Sequence, residues 1–373
     1  MTYFTRSSLL QLLFCFFLTS VSAQVLKPGF DRAEYIEMMK ISARFGDSTY
    51  FSTVPGPENY RFVYRSPVVG LDNRWDLWVG KRPVAVVSIR GTTQNSVSWL
   101  ENFYAAMVPA KGELELSEND KFSYTLSENP KAAVHVGWLV ATAFLSRDVL
   151  PKIDSCYRAG IKDVVILGHS QGGAIAYLMT AHLYNLQKQN RLPADIRFKT
   201  YCSAGPKPGN LYFAYDYEAM TQNGWAYNVV NAADWVPEVP LSIQTLNDFN
   251  TTNPFVNARG IIRKQSFPKR IVLNHVYKSL SKPALKAQKN YQKYLGRVAS
   301  NTVRKSLNGY VPPEYYNSNH YVRTGALIVL QPDSAYYARF PDSREKIFTH
   351  HLHQPYLYLT ERLNLSPDAM PTR

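Results

Sequence analysis

The run Val164-Val165-Ile166-Leu167-Gly168-His169-Ser170-Gln171-Gly172-Gly173 constrains this chain more than any other. Four consecutive branched apolar residues read as a strand buried on both faces. The residues from Gly173 to Gln187 favour helix. A chain that passes from a buried strand into a helix within so few residues must turn sharply, and the residue at the corner takes a strained conformation. Glycine at positions 168 and 172 removes the Cβ atoms that would collide there. The corner places Ser170 above the sheet edge at a helix N-terminus, where free N–H groups favour a developing negative charge. Ser170 is therefore the candidate nucleophile.

The surrounding pattern agrees with such a turn. Strand-like runs occupy residues 61–65, 74–79 and 83–89, and strands return near 196–202 and at Ala226–Asn231. Helical patterns cover 96–107 and 137–159, and another opens the mature chain with Asp31 as its cap and Glu34 as capping-box partner. The polar stretch 111–131 reads as a loop, and 321–330 as strand-like. Strands alternating with helices predict a mainly parallel central sheet covered on both faces. At 45 % hydrophobic residues the chain can bury a large core and is not a disordered one. Residues 24–373 are read as a single domain.

Ahead of that domain, residues 1–23 have the form of a signal peptide: Arg6, an apolar run over 9–18, then Val21-Ser22-Ala23. The run is short of the ~20 residues a membrane span needs. Export, to the medium or the periplasm, is the expectation. Cleavage removes Cys15 and leaves Cys156 and Cys202, as a disulfide or as two separate thiols. No His/Cys spacing resembles a zinc site, and no metal or organic cofactor is called for.

A serine hydroxyl needs a base, and the base an orienting carboxylate. On a fold of this kind the chain order is Ser, then Asp or Glu, then His. Asp234 leaves the strand at Ala226–Asn231 and is the best placed acid, ahead of Asp216 and Asp248. The base comes from His275, His320, His350, His351 or His353. An oxyanion hole takes one donor from the N–H after the nucleophile, Gln171, and a second from the loop after an earlier strand, where Arg90-Gly91-Thr92 stands.

Taken together, several segments resemble the class 3 lipase family, the fungal-type triacylglycerol lipases and their relatives. They are Ser88-Ile89-Arg90-Gly91-Thr92, Trp99-Leu100, Val134-His135-Val136-Gly137-Trp138, Gly168 through Gly173, Gly205-Pro206-Lys207-Pro208-Gly209-Asn210 and Asn231-x-x-Asp234-x-Val236-Pro237. The resemblance implies an α/β-hydrolase fold and an ester hydrolase with Ser170, Asp234 and a C-terminal His as its triad. It implies Thr92 and Gln171 as the oxyanion pair. The family His often stands five residues before a Tyr, as His351 does before Tyr356; His353, three residues before it, is the alternative base. His169 and His135 match positions without a catalytic role. The substrate implied is an acylglycerol, with a phospholipid or a feruloyl-type carbohydrate ester on the same scaffold as alternatives. A silent lipid- or envelope-binding protein is the reading from a different class. The segment after Thr92 forms a lid in fungal members, so the helix at 96–107 is either a lid or an ordinary core helix.

One stretch departs from that pattern. A basic insertion at about 245–320 precedes the catalytic His; residues 249–313 hold 13 Lys or Arg and no Asp or Glu, nearly the whole net charge of +14. Basic helices with interleaved apolar residues suit anionic membrane surfaces, and a solvated insertion is the plainer reading. No nucleic-acid motif accompanies the charge.

Overall fold

The computed structural model describes residues 25–46 and 48–364. The signal peptide expected at 1–23 lies outside the described residues. A seven-stranded sheet runs through the molecule, with Tyr60–Arg65, Trp75–Gly80, Val84–Ile89, Asp163–His169, Arg197–Ser203, Ala226–Asn231 and Ala326–Leu330 side by side in chain order. The first two pairings are antiparallel and the other four parallel.

Parallel neighbours require crossovers. The helix Val136–Arg158 leads into the fourth strand, Gln171–Lys188 joins the fourth to the fifth, and Leu211–Met220 joins the fifth to the sixth. Strands between two helical layers are buried on both faces, and all six residues of Val84–Ile89 are buried. Their side chains alternate between two cores, as a period of two demands. Ala85, Val87 and Ile89 join the core under Val136–Arg158 and Gln171–Lys188. Val84 and Val86 join the core under the helices Arg32–Ser42 and His353–Glu361. This is the α/β architecture that the sequence pattern predicts. It brings the C-terminal ends of the parallel strands to one edge, where Thr92, Ser170 and Asp234 follow their strands. Crevices outside such strand ends are where ligands bind in sheets of this kind.

Several local expectations need correction. Residues 111–131 are not a loop: Lys111–Ser117 and Asp120–Thr125 pair as a hairpin. The helix expected at 96–107 stops at Phe103, because Met107 enters the strand Met107–Pro109 against Ala133–His135. The strand-like stretch 321–330 is broken at Gly325 (φ 85°) into Tyr321–Val322 and Ala326–Leu330. Asp31 does cap its helix, accepting from the Glu34 N–H at 3.0 Å, but Glu34 makes no capping box. Its carboxylate goes to the buried Lys199 ammonium and the Tyr201 hydroxyl, each at 2.6 Å, since a charge inside the sheet needs a partner. Cys156 and Cys202 are two separate buried thiols.

The basic stretch is helical, in Ala258–Arg263, Phe267–Gln292, a π-helical segment Lys293–Val298 and Ala299–Ser306. Its C-terminal end is anchored: the Ala106 N–H donates to Leu295 O at 3.0 Å, and Val303 is fully buried. Among the described residues no helix is long and apolar enough to cross a membrane.

Candidate active site

Ser170 sits between the strand Asp163–His169 and the helix Gln171–Lys188 with φ 63° and ψ −133°. A side chain is rarely tolerated there. The turn is held by Ser170 N–H donating to Ser203 O and Gly173 N–H donating to Ser170 O, both at 2.9 Å. A Cβ on residue 168 would stand 2.0 Å from Gly172 O, and one on residue 172 would stand 2.3 Å from Ile89 O. Both glycines are therefore required by close backbone approach.

Asp234 follows the strand Ala226–Asn231. One carboxylate oxygen accepts the Val236 N–H at 3.0 Å. The other accepts from His351 Nδ1 at 2.7 Å and from the Tyr356 hydroxyl at 2.8 Å. Burial alone raises its pKa, but the hydrogen bond and charge of His351, with help from Val236 and Tyr356, outweigh it and leave the carboxyl below its usual range. Because Nδ1 of His351 faces Asp234, Nε2 is the nitrogen left for a reacting group.

The loop carrying His351 is tied to the nucleophile turn through His169. Its Nε2–H donates to His351 O at 2.7 Å and its Nδ1 meets Ser203 Oγ at 3.0 Å. Burial, then the neighbouring His351, lowers the His169 pKa to about 3, so the ring is a neutral strut. The three C-terminal histidines diverge. His350 bonds the Tyr336 hydroxyl and Asp342 at 2.8 and 3.0 Å. His353 bonds the Tyr50 hydroxyl at 2.7 Å and Ser42 Oγ at 3.1 Å, so both of its nitrogens are engaged away from Asp234. Of the two candidate bases, the structure brings His351 to Asp234 and leaves His353 packed against His169, ring centroids 4.3 Å apart.

Thr92 and Gln171 meet directly. The Thr92 hydroxyl donates to Gln171 Oε1 at 2.8 Å and accepts from Asn102 Nδ2 at 2.9 Å. Gln171 Nε2 donates to Glu101 Oε2 at 2.6 Å, and Asn73 Nδ2 donates to Glu101 Oε1 at 3.2 Å. With its hydroxyl hydrogen spent on Gln171, Thr92 offers its backbone N–H. Glu101 is fully buried with two amide partners; burial raises its pKa well above the usual carboxyl value. Glu101, Asn102 and Asn73 were not legible as site residues. The one available signal was a Glu-Asn pair inside the otherwise apolar run Trp99 to Phe103.

An aromatic wall flanks His351. Phe348 lies 5.8 Å from its ring, Trp235 5.5 Å from Phe348, and Trp99 6.1 Å from Phe348 and 6.4 Å from Phe103. Phe103 and Trp235 are exposed, so the wall faces solvent.

Residues 86–243 match the family model described as Lipase (class 3). Over this span the chain is similar to the class 3 lipase family. The matched segment holds Thr92, Ser170, Gln171 and Asp234 and ends before His351. Among solved structures, lipase II from Rhizopus niveus is similar at 22% identity and TM-score 0.40, over 56% of this chain and 74% of that one. The triacylglyceride lipase of Rhizomucor miehei is similar at 19% and TM-score 0.41, over 57% and 77%. A triacylglycerol lipase from Penicillium expansum follows at 16% and TM-score 0.40, over 56% and 74%. No curated protein matches the chain.

Proposed function

We propose that this protein is an exported lipase that hydrolyses acylglycerol esters through Ser170, Asp234 and His351. The 2.7 Å hydrogen bond from His351 Nδ1 to Asp234, on a loop pinned beside the nucleophile turn, carries this reading. Export rests on the sequence of residues 1–23.

In the proposed reaction His351 Nε2 takes the Ser170 hydroxyl proton as Oγ attacks the ester carbonyl carbon. Asp234 holds the imidazole in the required tautomer and stabilises the imidazolium. The backbone N–H groups of Thr92 and Gln171 receive the tetrahedral oxyanion. The carbon–oxygen bond to the alcohol then breaks, and His351 returns its proton to the leaving alcohol. Water, deprotonated by the same His351, releases the fatty acid from Ser170. Trp99, Phe103, Trp235 and Phe348 give the acyl chain an apolar wall beside the reacting carbonyl.

Turnover of p-nitrophenyl acetate, butyrate and palmitate by wild type and by Ser170→Ala tests the proposal. Loss of nearly all turnover in the variant, with the longer chains preferred by wild type, supports a lipase. A folded wild type that turns over none of these esters overturns it, and preference for acetate alone overturns the acylglycerol substrate.

A further inference from the structure

The helix Phe267–Gln292 buries only Gln288. Val272, Val276 and Leu280 recur every fourth residue and so share one side, 61%, 45% and 75% exposed. Lys278, Lys282 and Lys286 recur at the same interval, with Lys289 three residues on, and form an exposed second stripe about a third of the way round the helix from the first. Phe255, Val256 and Ile261 in the preceding segment are exposed as well. Exposed apolar side chains gathered along one helix side point to an interaction site. Over 249–313 no acidic residue offsets the 13 basic ones.

We propose that this helix docks on an anionic lipid bilayer. The apolar stripe enters the boundary between headgroups and acyl chains, and the lysine stripe meets the lipid phosphates. Each feature fits that occupant better than another. A second copy of this chain would set one acid-free surface against its like. Nucleic acid would use the lysines but would gain nothing from burying Val272, Val276 and Leu280. A bilayer needs no matching pocket, and the stripes run along one convex helix. The far end of the helix continues through Lys293–Val298 into Ala299–Ser306, which packs against Ser96–Phe103, the segment after Thr92. Docking therefore sets the ester site beside the lipid. Its purpose rests on the lipase reading, yet binding is read without turnover, so either one can fail alone.

The test is sedimentation of full-length Ser170→Ala protein with phosphatidylcholine vesicles, with and without roughly 30 mol % phosphatidylglycerol. The expected result is binding to the anionic vesicles that falls with added salt. Replacing Lys278, Lys282, Lys286 and Lys289 together by Gln should weaken it at least about tenfold. Val272→Ser, Val276→Ser and Leu280→Ser together should weaken it as well. Circular dichroism checks that both variants are folded. Absent binding, equal binding to phosphatidylcholine alone, or binding that neither variant weakens overturns the proposal. So does retention on heparin or DNA without vesicle binding, or a dimer that the apolar variant dissociates.

Discussion

The ring of His169 donates a 2.7 Å hydrogen bond to the main-chain carbonyl of His351, joining the residue before the proposed nucleophile to the proposed base across 182 positions. The bond sets the distance between a strand-end turn and a C-terminal loop, and the proposed chemistry needs that distance held. His169→Phe keeps the ring volume and removes the donor. It should lower kcat by about 10–100-fold, the scale of a small misplacement of reacting groups, and leave KM nearly unchanged. Steady-state kinetics on p-nitrophenyl butyrate check it.

Asp234→Asn leaves the shape intact but offers His351 an amide in place of a carboxylate. The tautomer it favours is the wrong one, and kcat should fall by roughly 10⁴-fold, the loss known for triad aspartates. The same kinetics, with thermal melting to confirm the fold, provide the check.

Tyr356→Phe removes one of the hydrogen bonds that hold the Asp234 carboxyl below its usual range. Its pKa should rise. The acid-side loss of activity should then begin at higher pH than in wild type, with a modest loss at neutral pH. A pH–kcat/KM profile of both proteins reads this directly, and coincident acid limbs contradict it.

How much of this was readable beforehand varies with the kind of information each feature needs. The turn at Ser170 was plain because strand, corner and helix follow one another within a short run of residues, although the contact that requires Gly172, Ile89 O, lies far along the chain. The strand Ala226–Asn231 was plain because Tyr227, Val229 and Val230 favour strand. The hairpin at 111–125 was missed although Leu114 and Leu116 alternate with Glu113 and Glu115, because the polar composition hid the period of two. Glu34 reads from the sequence as the capping-box partner of Asp31 because its true partners, Lys199 and Tyr201, lie far along the chain. For the same reason His351 and His353 were separable by motif shape alone. The partners that distinguish them, Asp234 for one and Ser42 with Tyr50 for the other, are contacts only the fold supplies.

Glu101 behind Gln171 makes a prediction about stability and pH together. Its folded-state pKa is raised well above the usual 4.5. The unfolded chain releases this proton first, so above about pH 4.5 the group costs stability, increasingly until its folded pKa is reached. Glu101→Gln can still accept from Gln171 and removes that cost. It should melt higher than wild type at pH 7 and show little gain below about pH 4. Glu101→Ala strands the Gln171 amide and should lose about 1–3 kcal/mol. Melting curves at the two pH values check both.

The most direct test of the central claim is mass-spectrometric mapping of a fluorophosphonate adduct on wild type, His351→Ala and His353→Ala. The account predicts one adduct, on Ser170, formed at near wild-type rate in His353→Ala and almost abolished in His351→Ala. An adduct on another residue, or a rate that depends on His353 and not on His351, would contradict it.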